Sequence, residues 1–350
     1  MNEIIIQIFR LTFIGIFNFF LALILMPLFL KIIQKFNIRK EIRREEAPIF
    51  QSLHQKKAGT LTMGGIIFWL TTAITSFIFW FGGEFFHIDI FKFLNFVERR
   101  ETFLPIFSLI FSGVVGLVDD LLGRVGLNKK NLGLRIKEKL IIYFSLAILG
   151  AWWFVAKLNF TTLNIDGLFF YVGPLWFSLV FIFIFLATSF SANETDGLDG
   201  LLAGISSIIL VFFLVIAFIN GDYNLSAFTV ALLGSLLAFL WFNIYPAKIF
   251  MGDTGSMSLG VTIALLSFLT GTSLLLPIIA PIFVIESGSV IIQIVSKKLR
   301  HKKIFFSTPI HHHFEAKGWL EPTIVFRFWL INFLGCLISF LIYLSIKFLH

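Results

Sequence analysis

Long apolar stretches alternate with short polar connections from one end of the chain to the other. The apolar runs fall near 11–30, 62–82, 103–119, 140–157, 172–190, 201–219, 226–243, 256–273, 276–295 and 325–347. Each approaches the length of about 20 residues that a helix needs to cross the hydrocarbon core. An apolar segment in lipid must satisfy its own backbone hydrogen bonds, so every run is expected to be helical. The pattern therefore predicts an all-α polytopic membrane protein of about ten transmembrane helices. No polar connection is long enough to fold alone, which makes 1–350 a single membrane domain without an internal repeat. Small residues such as Gly64 and Gly65 permit close helix approach.

Composition agrees with this pattern. Charged residues make up 14% of the chain and hydrophobic ones 58%, against roughly 25% charged residues in ordinary soluble domains. The mean hydropathy is +0.93. The N-terminal string MNEIIIQIFR lacks the basic start and small-residue cleavage site of a signal peptide, so the first run is expected to be a retained span. A lone cysteine, Cys336, excludes an intramolecular disulfide framework. The abundant Phe residues are read as packing and lipid contact.

Charge sets the orientation. The formal charge of +8 is concentrated beside the spans, as expected for orientation signals and anionic lipid, and not for nucleic acid. Lysines and arginines crowd the segments after the first, third and ninth runs, with Lys248 after the seventh. Those segments are expected to face the cytoplasm, with both termini outside. The chain is thus expected in the cytoplasmic (inner) membrane as a multi-pass protein. The polar clusters with chemical character then all fall at the cytoplasmic face, which suggests one active site there.

Four clusters stand out. Asp119 and Asp120 close the run FSGVVGLVDD, where adjacent carboxylates need a cation or hydrogen bonds to offset their repulsion. A solvated helix end, Mg²⁺ ligation and proton transfer all suit the pair. Asn193-Glu194-Thr195-Asp196-Gly197-Leu198-Asp199-Gly200 places two acids among glycines; it suits a plain turn, or a metal, a nucleotide sugar or its base. In Phe250-Met251-Gly252-Asp253-Thr254-Gly255-Ser256 a lone Asp between glycines reads by itself as a helix N-cap. Upstream, Asn243, Tyr245 and Pro246 form a polar, partly aromatic loop suited to a nucleobase. The histidines of Pro309-Ile310-His311-His312-His313-Phe314-Glu315 invite zinc, but structural zinc wants four N or S ligands. Contact with phosphate or substrate is the better reading. Basic residues including Lys56, Lys57, Lys137 and Lys139 suit a diphosphate or a lipid phosphate.

At these residues the chain resembles the bacterial phospho-N-acetylmuramoyl-pentapeptide transferases. The matching strings are KAGTLTMGG (Lys57–Gly65), VDD (Val118–Asp120), TDGLDGL (Thr195–Leu201), FMGDTGS (Phe250–Ser256) and PIHHHFEAKGW (Pro309–Trp319). They run in the family's order over most of the chain. The resemblance implies transfer of phospho-N-acetylmuramoyl-pentapeptide from UDP-MurNAc-pentapeptide to undecaprenyl phosphate, giving lipid I and UMP with Mg²⁺ as cofactor. It implies an acidic centre of Asp119, Asp120, Asp196 and Asp253, with Asp253 the leading magnesium ligand and Asp196 beside it. Asp119 is expected to act as base toward the lipid phosphate, a covalent aspartyl intermediate being the other route. Lys57, Asn193, Asp199, Asn243 and Phe250 match positions around the nucleoside, while Lys139, His311, His312 and His313 match catalytic positions. A homodimer is a further implication. The chain departs from the family at Leu61 and Leu320, which stand at usual prolines, and at Gly123, which stands where DDYxK places its lysine.

Three other readings compete. A sister transferase acting on UDP-N-acetylglucosamine would share the acidic centre but lack the PIHHHFEAKGW form of the loop. A secondary transporter would place its acids near the membrane midplane, commonly in repeated halves. A non-catalytic scaffold has no need of four polar clusters on one side.

Overall fold

A computed structural model describes residues 2–38, 59–98, 102–125, 134–165 and 168–349 of the chain. All ten apolar runs are helical. They form α1 (Asn2–Lys35), α2 (Ile66–Glu84), a short α3 (Asp89–Leu94), α4 (Phe103–Val125), α5 (Ile136–Ala156), α6 (Gly173–Thr195), α7 (Leu201–Ile219) and α8 (Tyr223–Asn243). There follow α9 (Asp253–Leu269), the single turn α10 (Leu276–Ile279), α11 (Pro281–Arg300), the short α12 (Ile310–Ala316) and α13 (Glu321–Leu349). Among the described residues, eight helices are long and apolar enough to span a bilayer. The remaining two runs depart from a simple span, each for a visible reason.

The run expected at 276–295 is broken. The segments Ser273–Ile279 and Pro281–Arg300 meet at 80°. Proline lacks an N–H and pushes its predecessor out of the helical region. Ala280 accordingly takes φ −122° and ψ 58°. The carbonyl of Ile279, left without a helical partner at the break, accepts from Cys336 Sγ at 3.3 Å on α13.

The other exception is α9, only 17 residues long. It lies at the centre of the bundle, packed between α4 and α6, and Thr254 through Phe268 are all buried. Its Gly, Ser and Thr content explains how it packs so closely. A Cβ on Gly260 would sit 2.6 Å from the Ser189 Cα, so the α9 and α6 backbones are almost in contact. The hydroxyls satisfy themselves within the helix: Ser258 Oγ donates to Thr254 O at 2.9 Å and Thr262 Oγ1 to Ser258 O at 2.8 Å.

Around this centre the helices form two apolar groups. One joins α1, α2, α7, α8 and α13. The other joins α5, α6 and α9, where Phe154 and Phe177 meet Phe268 edge to face and Phe181 lies tilted against it. Many remaining Phe, Ile and Leu side chains, such as Phe13, Ile24, Phe183 and Leu341, point outward as a lipid-facing surface requires. The all-helical expectation missed a small antiparallel hairpin, β1 (Thr162–Ile165) with β2 (Leu168–Tyr171), between α5 and α6. It also missed an isolated parallel bridge between Leu61 and Ile249.

The close approach of α9 to α6 makes a prediction. Gly260→Leu should lower stability by about 1–3 kcal/mol through overpacking, seen as a lower unfolding midpoint in detergent. An unchanged midpoint would contradict the backbone contact.

Candidate active site

The end of α4, the start of α5, the end of α6 and the start of α9 converge at one end of the bundle, and their polar side chains interlock. Asp120 accepts from the backbone N–H groups of Asp253 at 3.2 Å and Thr254 at 3.1 Å. Its carboxylate thus caps the N-terminus of a neighbouring helix, where N–H groups and the helix dipole favour negative charge. The capping group for α9 is therefore not Asp253, as a reading of the string alone suggests. Asp253 is the first residue of that helix, and its side chain is left to point elsewhere.

Close backbone contacts make this possible. Gly252 adopts φ +77°, and a Cβ there would stand 2.6 Å from Asp120 Oδ2. A Cβ on Gly116 would stand 2.4 Å from the Asp253 carbonyl oxygen. Thr254 Oγ1 donates to Gly113 O at 2.7 Å and accepts from Trp69 Nε1 at 3.1 Å, tying α2, α4 and α9 together. The GTLTMGG and FMGDTGS strings pair through their backbones. Phe250 N–H donates to Leu61 O at 2.8 Å, and the N–H groups of Gly64 and Gly65 donate to Phe250 O and Met251 O at 2.9 Å.

The Asp253 carboxylate is held from two sides. Asn193 Nδ2 donates to its Oδ1 at 2.9 Å and to Ser256 Oγ at 2.9 Å. Lys139 Nζ pairs with its Oδ2 and, at 2.5 Å, with Asp119 Oδ2. The other Asp119 oxygen accepts from Leu134 N–H at 2.5 Å. Lys139 and Asp253 keep 21% and 26% of their side chains exposed while Asp119 keeps 8%, so an incoming ligand meets the first two. Of the two candidate lysines on α5, Lys139 reaches the acids and Lys137 is exposed to solvent. Gly123, one turn beyond Asp119 on α4, has no side chain to contribute there.

The second acidic loop adjoins this centre. Asp196 ends α6 with φ −77° and ψ 49°. Asp199 Oδ2 accepts from Ala247 N–H at 2.9 Å, and Asp199 N–H donates to Glu321 Oε1 at 2.6 Å. Asn243 accepts from Gly200 N–H at 3.1 Å and donates to Ile249 O at 2.8 Å. Asp199 and Asn243 therefore brace the loops that carry Asp196 and Phe250. Glu194 takes a hydrogen bond from Ser287 Oγ at 2.5 Å on α11.

The three histidines part company. His311 is buried against Gly197 and Glu286, and His312 Nδ1 lies 2.6 Å from Glu315 Oε2. His313 Nδ1 accepts from Phe306 N–H at 3.1 Å, and its ring stacks on Phe306. Burial, reinforced by Lys317, holds the His313 pKa below the usual imidazole range. Lys57 lies outside the described residues.

Sequence reasoning did not single out Trp69, Gly116, Glu286 or Glu321. An isolated carboxylate inside an apolar helix was the available signal for Glu286. Among the described residues, no three His, Cys, Asp or Glu side chains are grouped to hold a metal by themselves.

Residues 102–271, which include the acids of α4, α6 and α9, match the model of glycosyl transferase family 4. Over 339 residues the chain is 37% identical to a phospho-N-acetylmuramoyl-pentapeptide-transferase of Caldanaerobacter subterraneus, covering 95% of this chain and 98% of that protein. A protein of the same name from Shouchella clausii is 40% identical over 330 residues, covering 92% and 94%. One from a Geobacillus species is 38% identical over 325 residues, covering 93% and 95%. The likeness thus takes in every helix that contributes to the acidic centre, and the chain belongs to the phospho-N-acetylmuramoyl-pentapeptide-transferase family.

Proposed function

We propose that the protein synthesises lipid I, transferring phospho-N-acetylmuramoyl-pentapeptide from UDP-MurNAc-pentapeptide to undecaprenyl phosphate and releasing UMP. The observation that carries the reading is the meeting of Asp119, Lys139, Asn193 and Asp253, from four helices, at one partly open point. The relatives' shared name supports phospho-N-acetylmuramoyl-pentapeptide as the group transferred, and the family resemblance supplies the carrier and the acceptor. Lysines and arginines flanking this end of the bundle support a cytoplasmic active site in the inner membrane. Pairing of two copies is part of the same reading, by family resemblance.

A lipid-phosphate oxygen attacks the sugar-bearing phosphorus of the donor. A new P–O bond forms, the diphosphate bridge breaks, and its electron pair leaves on UMP. The reaction gathers several negative charges, and catalysis consists mainly of positioning and neutralising them. Mg²⁺, held by Asp253 and Asp196, would supply positive charge to the diphosphate and the departing UMP. The reading is supported by the chemistry of the donors, which are oxygen ligands, and by the Lys139 ammonium that Asp119 and Asp253 already hold between them. Lys139 is placed to turn its charge from the carboxylates to an arriving phosphate, which frees Asp119 to keep the lipid phosphate deprotonated. Asp120 holds the start of α9, so that Asp253 keeps its direction. By the family resemblance Phe250 and Asp199, on their loops, and Asn193, near the end of α6, would face the nucleoside, with Lys57 ahead of them in sequence.

The experiment is UMP release by purified protein with UDP-MurNAc-pentapeptide, undecaprenyl phosphate and Mg²⁺. Release should depend on the lipid and the metal and should fall at least about 100-fold in Asp253→Ala, as when one transition-state contact is removed. Release with UDP-N-acetylglucosamine in place of the muramoyl donor would move the protein to the sister activity. In the same assay Lys137→Ala should stay within about threefold of the parent while Lys139→Ala loses about 100-fold or more. Equal effects of the two substitutions would refute the assignment of Lys139.

A further inference from the structure

Glu286 stands six residues into α11, a carboxylate in an otherwise apolar stretch, and it is fully buried. Its Oε1 lies 3.0 Å from Nδ1 of His311, which is equally buried. Neither Glu286 oxygen has an aligned hydrogen bond among the described residues, so the approach to His311 is a close charge contact and not a formed hydrogen bond. An isolated charge in such surroundings is very costly, so the two groups depend on each other.

The other face of the imidazole carries the functional hint. His311 Nε2, like Nδ1, is buried and has no aligned hydrogen-bond partner among the described residues. It points at Gly197, where a Cβ would stand only 2.1 Å away. The ring therefore fills a slot that only glycine leaves open, in the loop between Asp196 and Asp199. A buried polar atom without a partner calls for an explanation, and a ligand arriving at this loop supplies one.

We infer that Glu286 is a positioning residue for His311, fixing Nδ1 toward α11 so that Nε2 is presented to the phosphate groups of the donor at the Asp196–Asp199 loop. The inference rests on the proposed lipid I synthesis and on the assignment of that loop to the donor. A carboxylate this close to Nδ1 favours a proton on that nitrogen and draws the ring toward α11. The alternative is a purely structural pair that pins the short α12 onto α11.

The test compares wild type with Glu286→Gln, Glu286→Asp, His311→Gln and the Glu286→Gln/His311→Gln double variant. UMP release is titrated in the muramoyl donor, and unfolding midpoints are measured alongside. Glu286→Gln should lower kcat by about 10- to 100-fold, as loss of an orienting partner does, with KM changed by less. Glu286→Asp should recover part of the loss, and it carries the comparison if Glu286→Gln does not fold. The double variant should fall within about twofold of His311→Gln alone, because residues acting as one unit are not additive. Losses that multiply in the double variant would overturn the inference, as would a lowered midpoint with normal kcat per folded molecule. Normal turnover in His311→Gln would overturn it too, while leaving lipid I synthesis standing. Wild type that releases no UMP with either donor would refute the proposed function and this inference together.

Discussion

Lys139 carries an ammonium from the start of α5 into the gap between Asp119 on α4 and Asp253 on α9, and the rest of the site is arranged around that neutralisation. Carboxylates gathered at the end of an apolar bundle repel one another and lose hydration. Without a cation they would push α4 and α9 apart, although those two helices pack in backbone contact at Gly116. Removing one partner from a buried ion pair commonly costs about 3–5 kcal/mol, and this ammonium serves two carboxylates. The same gap is where a chemistry of diphosphates needs positive charge. Stability and function therefore draw on a single electrostatic requirement.

The two adjacent aspartates have been given different work by direction alone. Successive residues on a helix lie about 100° apart, so Asp119 and Asp120 cannot face the same neighbour. Asp119 meets Lys139, and Asp120 meets the first N–H groups of α9. The result is a site whose exposed members, Lys139 and Asp253, are aimed by more deeply placed ones. Glu286 stands to His311 as Asp120 stands to Asp253: in each case a carboxylate from a neighbouring helix, fully buried in Glu286 and half-buried in Asp120, bears on where a polar group points.

The placement of α9 explains why its sequence reads as a weak membrane span. It is short and rich in Ser, Thr and Gly, because it is surrounded by protein on every side and needs close approach more than lipid contact. The break at Ala280 belongs to the same logic. It turns α11 by 80° and sets Glu286 and Ser287 against the end of α6, where Glu194 and the Asp196 loop begin.

The periodic apolar runs were sufficient to specify a helical membrane bundle, since backbone polarity in lipid leaves few alternatives. The strings around Asp119, Asp196, Asp253 and His311 were sufficient to name the family, and each proved to lie at or beside one centre. Local pattern misjudged the run at 276–295 as continuous, because the effect of Pro281 depends on what α13 offers to the freed carbonyl. It carried no sign of the hairpin at Thr162–Tyr171, whose strands are too short to register against the apolar background. It left Lys137 and Lys139 as alternatives and took Asp253 for a possible cap. Those choices turn on which way a side chain points once two helices touch. Pairwise distances between residues more than a hundred positions apart are set by packing, and only the tertiary structure holds that information.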